Sequence, residues 1–269
     1  MATKMYLMKL ETNLHVGNGD INYNIVDNEV ERDVLTNQPI IYSSGMKGAL
    51  REYFTNELNI GEKSIIDIFG SKPQKSNNDQ DKKPGGLKFY DGNCLLLAMR
   101  NSVGNKPYSL VTTKTNLIQL VEKMKLFNIP SNYKDQCDFS KISYLSDYCL
   151  SNTDELEVEG KSVKQKIQDN SFKNMLLSLG IDSEQDIVIF SNKSMEDYNL
   201  PVVARNVLEN KISKNLWYEE FVPYNSYFYT FVSGNDDLLE LFDLQVKNKI
   251  VQFGANQSIG YGLVKMISI

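Results

Sequence analysis

"IVDNEVERDVLTNQPIIYSSGMKGALREYF", Ile25 to Phe54, runs from an aspartate-bearing loop straight into a helix. Met46, Leu50, Tyr53 and Phe54 recur at helical spacing, and Ser43 or Ser44 is the expected N-cap. Lys47 and Arg51 stand four apart, so both project from one adjacent face, where they can clamp a phosphate backbone or simply flank the helix in solvent. Ahead of the helix, Asp27 lies between apolar Val26 and Val30, and the chain's single histidine, His15, sits upstream in the Gly- and Asn-rich turn "NLHVGNGD".

Outward from this stretch, "KMYLMKLET" alternates as a central strand, with Met5, Leu7 and Lys9 on one side and Tyr6, Met8 and Leu10 on the other. Downstream, "LKFYDGNCLLLAM" has strand character, and "TNLIQLVEKMKLFN" is an amphipathic helix built on Leu117, Leu120 or Val121, and Met124. A short helix follows at Phe172 to Leu179, then the strand "DIVIF". "VARNVLENKISKNLWYEEFVP" predicts a hairpin turning at Glu209 and Asn210. "NSYFYTFVSG" is a strand, "NDDLLELFDL" a helix with Asp236 and Asp237 in its first turn, and "KIVQFG" and "GLVKMIS" close the chain as strands. Residues 70–86 have the composition of a mobile loop, and 131–170 form an irregular insertion. Strands alternating with helices predict an α+β sheet of ferredoxin-like type in one domain over 1–269, elaborated by insertions.

Composition limits the chemistry. A chain of 269 residues with 41% hydrophobic content buries a substantial core. No stretch reaches the length of a membrane span, and "MATKMYLMKLET" lacks the apolar run of a secretory signal, which predicts a cytoplasmic protein. Three widely spaced cysteines suggest neither a disulfide framework nor a zinc motif. A net charge of −5 argues against nucleic-acid binding through the whole surface but leaves room for a local basic groove. One histidine excludes an HExxH site, a paired-histidine nuclease and a multi-histidine metal centre, so an enzyme here rests most economically on carboxylates and a divalent metal, Mg or Mn. In "FGANQSIGYGLVK", Gly254, Gly260 and Gly262 allow close backbone approach to phosphate or make a bulge; the segment opens no helix, so it is not a dinucleotide fingerprint.

The succession "LHVGNG", "VDNEVERDVLTNQPII", "SSGMKGALRE", "DIFG", "GGLKFYDGNCLLLAMR", "NLWYEEFVP" and "QFGANQSIGYGLVK" resembles the RAMP superfamily of CRISPR proteins, above all the repeated backbone subunit of type III-B (Cmr) effector complexes. The resemblance implies a ferredoxin-like (RRM-like) palm. It also implies a filament of copies, accompanied by other Cmr-type subunits, that holds guide RNA and cleaves complementary target RNA at regular intervals as an endoribonuclease. It places the cleavage aspartate at Asp27, which serves as metal ligand or base, with Arg32 and Asp33 matching the pair that follows; Glu29 stands where the family has proline. Lys47, Gly48 and Arg51 match its helix, while Tyr42 replaces a proline before it. RNA contacts are implied for His15, Lys47, Arg51, Gly254, Gly260 and Gly262. A protruding thumb hairpin is implied over 205–218, with Val207, Leu208, Ile212 and Trp217 available to the target duplex, and Glu219 and Glu220 follow it as support for the cut site.

Two other functions compete. A guide-binding scaffold that does not cut draws on the departures at Glu29 and Tyr42. A metal-independent processing nuclease would use His15 as the base for 2′-hydroxyl attack, but leaves the Asp27 loop and the hairpin without a role.

Overall fold

The computed structural model describes all residues except 1, 18, 20–24, 59, 72–82, 131–135, 151–154, 168–169, 182–183 and 210–211, together with the side chain of Leu208. In chain order its elements are β1 (Ala2–Leu10), β2 (Ile40–Ile41), α1 (Ser43–Asn56), α2 (Glu62–Phe69), β3 (Leu87–Phe89), β4 (Gly92–Val103) and β5 (Tyr108–Thr113). There follow α3 (Lys114–Leu126), β6 (Tyr148–Cys149), β7 (Glu157–Val158), β8 (Lys161–Ser162), β9 (Gln165–Lys166), α4 (Ser171–Ser178), β10 (Asp186–Phe190) and α5 (Asn192–Glu196). The chain ends with β11 (Val202–Glu209), β12 (Ile212–Glu220), β13 (Tyr227–Gly234), α6 (Asp236–Val246), β14 (Ile250–Gln252) and β15 (Leu263–Ser268).

The main sheet runs β14-β15-β1-β13-β4-β5-β10-β6-β9, so the first strand lies inside it, third along this order, and pairs antiparallel with β13 and β15. Alternation in β1 sorts the core into two layers, as the period of two requires. Tyr6, Met8 and Leu10 meet Met46, Leu50 and Phe54 of α1, Phe69 of α2 and Phe242 of α6. Met5 and Leu7 turn the other way, onto Leu117, Leu120 and Met124 of α3 and Phe172 and Met175 of α4. Helices therefore cover both faces of a mixed sheet. Phe54 stacks on Phe242 at 5.5 Å between ring centroids and meets Phe69 edge-on at 5.2 Å, geometries that add about 0.5–1.5 kcal/mol per pair beyond burial. One carboxylate inside this layer, Asp243, accepts from Lys4 Nζ (2.7 Å), Tyr6 OH (3.0 Å) and Ser268 Oγ (2.7 Å). Burial alone would raise its carboxyl, but these partners hold it below the usual range.

Several expectations shift. The cap of α1 is Tyr42, not Ser43 or Ser44, which are already helical; the Asp91 carboxylate, remote in sequence, accepts the Ser43 N–H at 2.7 Å in place of a local side chain. The insertion over 131–170 is not wholly irregular, since β6 pairs with β10, β9 with β6, and β7 with β4. Most of the loop expected over 70–86, and Asn210 at the hairpin turn, lie outside the described residues. Among the described residues no helix is long and apolar enough to cross a membrane. β11 and β12 form a separate two-stranded sheet, and a two-stranded sheet has little stability of its own unless its base is tied down.

Candidate functional site

That tie is the Asp27 segment. Asp27 N–H and Asn28 N–H both donate to the Tyr218 carbonyl, at 3.0 and 3.1 Å, and Glu220 N–H donates to the Asn28 carbonyl at 2.9 Å. Asn28 and Glu219 form a parallel bridge, so residues 27–28 add a short third strand to the outer edge of β12. Tyr218 N–H in turn donates to Asp27 Oδ2 at 2.8 Å, fixing the carboxylate while leaving the residue exposed. Among the described residues no cation pairs with it. An exposed carboxylate held by main chain is suited to accept a proton or to ligate a hard cation.

Beneath Asp27 the two glutamates are buried and engaged. Glu220 takes an ion pair from Arg32 through Oε1 and a hydrogen bond from Val30 N–H through Oε2 at 3.1 Å. Its carbonyl accepts from His15 Nδ1 at 2.6 Å, which places the ring proton on Nδ1. Glu219 accepts from Asn256 Nδ2 and, at 3.4 Å, from Arg205, whose guanidinium also lies 4.8 Å over the Tyr261 ring. Five segments remote in sequence thus converge: the His15 turn, the Asp27–Arg32 loop, Arg205, the Glu219–Glu220 pair and the Asn256 turn. Arg205 and Asn256 were not singled out in the sequence, although Asn256 sits inside the glycine-rich stretch; nothing local marks either as a partner of Glu219.

His15 itself is 5% exposed, so it is packed into the site rather than displayed. The turn that follows β14 is laid directly on it. Ala255 N–H donates to the His15 carbonyl at 2.8 Å and Gly262 N–H to the Asn13 carbonyl at 2.7 Å. Gly254 and Gly262 have φ near 73° and 80°, and a Cβ would fall 2.3 Å from the His15 carbonyl oxygen and 1.9 Å from that of Phe253, so no side chain fits at either. Gly260 is exposed at the tip of the same turn.

Arg32 is followed by a tight turn. Burial would raise the Asp33 carboxyl, but hydrogen bonds from Thr36 N, Thr36 Oγ1 and Leu35 N outweigh it and hold the group below the usual carboxylate range. The Arg32 guanidinium also donates to the Asn37 carbonyl at 3.1 Å.

The basic pair on α1 separates into two roles. Arg51 donates to the carbonyls of Phe69 and Gly70 and lies over the Phe69 ring, so it caps the C-terminus of α2. Lys47 is half-buried, and among the described residues no carboxylate pairs with it. If Lys47 makes the RNA contact that the sequence resemblance implies, Lys47→Ala should reduce the salt slope of that binding by about one ion. Arg51→Ala is expected to leave that slope in place and instead to destabilise the fold by about 1.5–3 kcal/mol, the loss of a charged donor to helix-end carbonyls. Thermal unfolding and binding titrations over a range of salt separate the two, and an equal loss of slope in both variants would assign Arg51 to phosphate.

On the hairpin, Val207 and Ile212 are exposed and Trp217 is half-buried across from Arg205. The Leu208 side chain lies outside the described ones. Among the described residues no group of three His, Cys, Asp or Glu side chains is arranged to hold a metal ion.

The model of the RAMP superfamily matches residues 7–265. The chain is 24% identical over 298 residues to the CRISPR system Cmr endoribonuclease Cmr4 of Pyrococcus furiosus, covering 98% of this chain and 95% of that one. It is 23% identical over 301 residues to the CRISPR system CMR subunit Cmr4 of Saccharolobus solfataricus, with the same coverage. Among solved structures, oligomeric Cmr4 from Pyrococcus furiosus superposes with a TM-score of 0.77 at 19% identity, over 100% of this chain and 98% of that one. A chain of the type III-B Cmr-beta complex bound to cognate target RNA gives 0.81 at 18% identity, over 100% and 97%. At these identities the superpositions establish the likeness of fold.

Proposed function

The chain belongs to the RAMP superfamily, and from that premise we propose that it is a backbone subunit of a type III-B CRISPR effector complex. In this reading copies line up along a guide RNA in the cytoplasm, with other Cmr-type subunits, and each cuts complementary target RNA at Asp27. The observation that carries it is the attachment of an exposed Asp27 to the base of a projecting hairpin through Tyr218. Asp27 is thereby fixed to the base of the hairpin, on the same strand that carries Ile212 towards its turn. Two named Cmr4 relatives that match over nearly their whole length support the assignment to this complex.

A ferredoxin-like palm is supported by the strand order β15-β1-β13-β4, all antiparallel, with α1 between β1 and β4 in sequence and α6 between β13 and β15. The hairpin β11–β12 is the proposed thumb. Its exposed Val207 and Ile212 suit an apolar wedge, since a base step can be unstacked by apolar side chains.

Cleavage needs the 2′-hydroxyl or a water in line with phosphorus. Asp27 would accept the proton of the attacking hydroxyl or water, or would hold a divalent ion, Mg or Mn, of the kind that binds through one or two carboxylates together with phosphate and water. Bound there, such an ion would neutralise charge developing on the phosphate. The non-cleaving scaffold is the weaker reading. The loop that lacks the family's proline at Glu29 is fixed by Tyr218 and Glu220 instead, and Tyr42 adopts φ −62°, close to the value a proline would impose.

The test is to assemble the chain with guide RNA and its neighbouring subunits and to digest a labelled complementary RNA. Evenly spaced products are expected, and replacing 207–214 by a short turn should retain guide binding while the even spacing is lost. An RNA-free wild-type assembly would sink the whole reading; an even ladder from the shortened hairpin would sink the thumb alone.

A further inference from the structure

We propose that the cleft between the loop at 32–39 and α5 receives a nucleobase splayed out of the guide–target duplex beside the cut. This rests on the functional reading above and names a site within it. The cleft has a volume of about 170 Å³, and a cavity of about 150 Å³ is enough to hold a benzene ring. One of its walls is Arg32, the same residue that pairs with Glu220, whose main chain is bonded to Asn28. The cleft therefore shares its Arg32 wall with the network that holds the Asp27 loop.

Its lining fits a planar heterocycle better than an anion or an apolar side chain. Leu97 and Met195 supply apolar surface, while Gln38, Asn116 and Asn192, from three separate segments, supply amides that both donate and accept. The side-chain amide oxygen of Gln38, Oε1, is buried without a hydrogen-bond partner, whereas its main-chain carbonyl accepts from Asp33 N–H at 2.9 Å. The cationic wall, Arg32, is already paired, and Glu196 is acidic, so a phosphate finds no uncommitted charge there. An apolar side chain from a neighbouring copy would cover the amides and leave them unpaired, a costly arrangement. The loop wall is preformed by the hydrogen bonds to Asp33 and by Asn37 at φ 55°.

The chemistry at Asp27 creates the occupant. A regularly stacked RNA strand does not present its 2′-hydroxyl in line with the adjacent phosphorus, so at least one nucleotide must leave the stack, and its base needs a place to go.

The experiment uses the complete assembly with 2-aminopurine placed beside the cut, in the target in one arm and in the guide in the other. The variant Asn192→Trp fills the cleft from an exposed helix position, and Lys193→Trp, exposed on the same helix but outside the lining, serves as the control. Asn192→Trp is expected to change the fluorescence of the labelled strand and to slow cleavage about tenfold, with guide binding unchanged; stacking and pocket contacts of a single base support an effect of that size. The arm that responds identifies the strand. Fluorescence and cleavage that ignore Asn192→Trp in both arms would overturn the cleft assignment while leaving the functional reading intact. Loss of copy-to-copy assembly with fluorescence unchanged would also overturn it and assign the cleft to a neighbouring protein chain. A wild-type assembly that binds no target would remove the functional reading itself.

Discussion

Asp27→Asn is expected to lower target cleavage by about 10²–10⁴-fold, the range for removing a positioned acid–base group, while the complex still assembles and still binds guide and target. The reason lies in how the residue is attached. Both main-chain bonds from residues 27 and 28 to Tyr218 are independent of the side chain, so the loop keeps its place. Asparagine also retains an oxygen to accept Tyr218 N–H. What the variant loses is a negative charge and a proton acceptor at an exposed position. Single-turnover cleavage of a labelled target, measured beside guide occupancy, reads the two effects separately. EDTA should abolish wild-type cleavage, and Mg or Mn should restore it; near wild-type cleavage by the variant would show that another group performs the step. Activity that persists in EDTA would remove the metal and leave Asp27 or His15 as the base, which Asp27→Asn separates, although His15 is buried and its Nδ1 is committed to Glu220.

How much of this was legible in the sequence depends on the range over which each feature is determined. The two faces of β1 could be read from alternation alone, because the pleat fixes them: Tyr6, Met8 and Leu10 go one way, Met5 and Leu7 the other. The apolar stripe of α1 was equally local. Its cap was not, since Asp91 reaches the Ser43 N–H from the far side of β3, and a local pattern of serines suggested a cap that the fold does not use. Strand β5 and helices α2 and α5 were not read as elements. α2 and α5 are short, at the margin of what periodicity resolves, and β5, paired by β4 and β10 and buried almost throughout, has no clean alternation.

The site divides in the same way. Asp27, Arg32, Glu219 and Glu220 were singled out together only through family resemblance; in the fold Arg32 pairs with Glu220, the Asp27 segment bonds the main chain of Tyr218 and Glu220, and Glu219 turns to Arg205 and Asn256. Lys47 and Arg51 have the spacing of a phosphate clamp, yet spacing on one helix says nothing about what stands opposite. Arg51 faces the end of α2, and only the packing of α1 against α2 reveals that its donors are spent there. Arg205 and Asn256 escaped notice for the same reason, because a residue that satisfies a buried carboxylate carries no local signature.

Glu220→Ala is expected to produce the largest combined loss, because it removes the joint between the Asp27 loop and the hairpin. Its side chain satisfies the Arg32 guanidinium and Val30 N–H at once, and the residue is 6% exposed. Truncation leaves a cation and a main-chain donor without an acceptor. Breaking a buried pair costs about 3–5 kcal/mol; because the Arg32 side chain keeps about a quarter of its exposure, the low end, about 3 kcal/mol, applies. Glu220→Gln retains an acceptor for Val30 and the shape of the side chain, so it should recover much of the stability but not the ion pair. Cleavage is expected to fall in both variants while guide binding persists, since the segment that loses its anchor is the one carrying Asp27. The decisive comparison is a double-mutant cycle with Arg32→Ala. If Arg32 and Glu220 act as one joint, Arg32→Ala adds little to Glu220→Ala, with a coupling of about 0.5–3 kcal/mol in unfolding free energy and non-additive losses in cleavage. Strictly additive effects would mean that Glu220 acts through its own oxygen at the cut, and that the loop is held by the Tyr218 main-chain bonds alone.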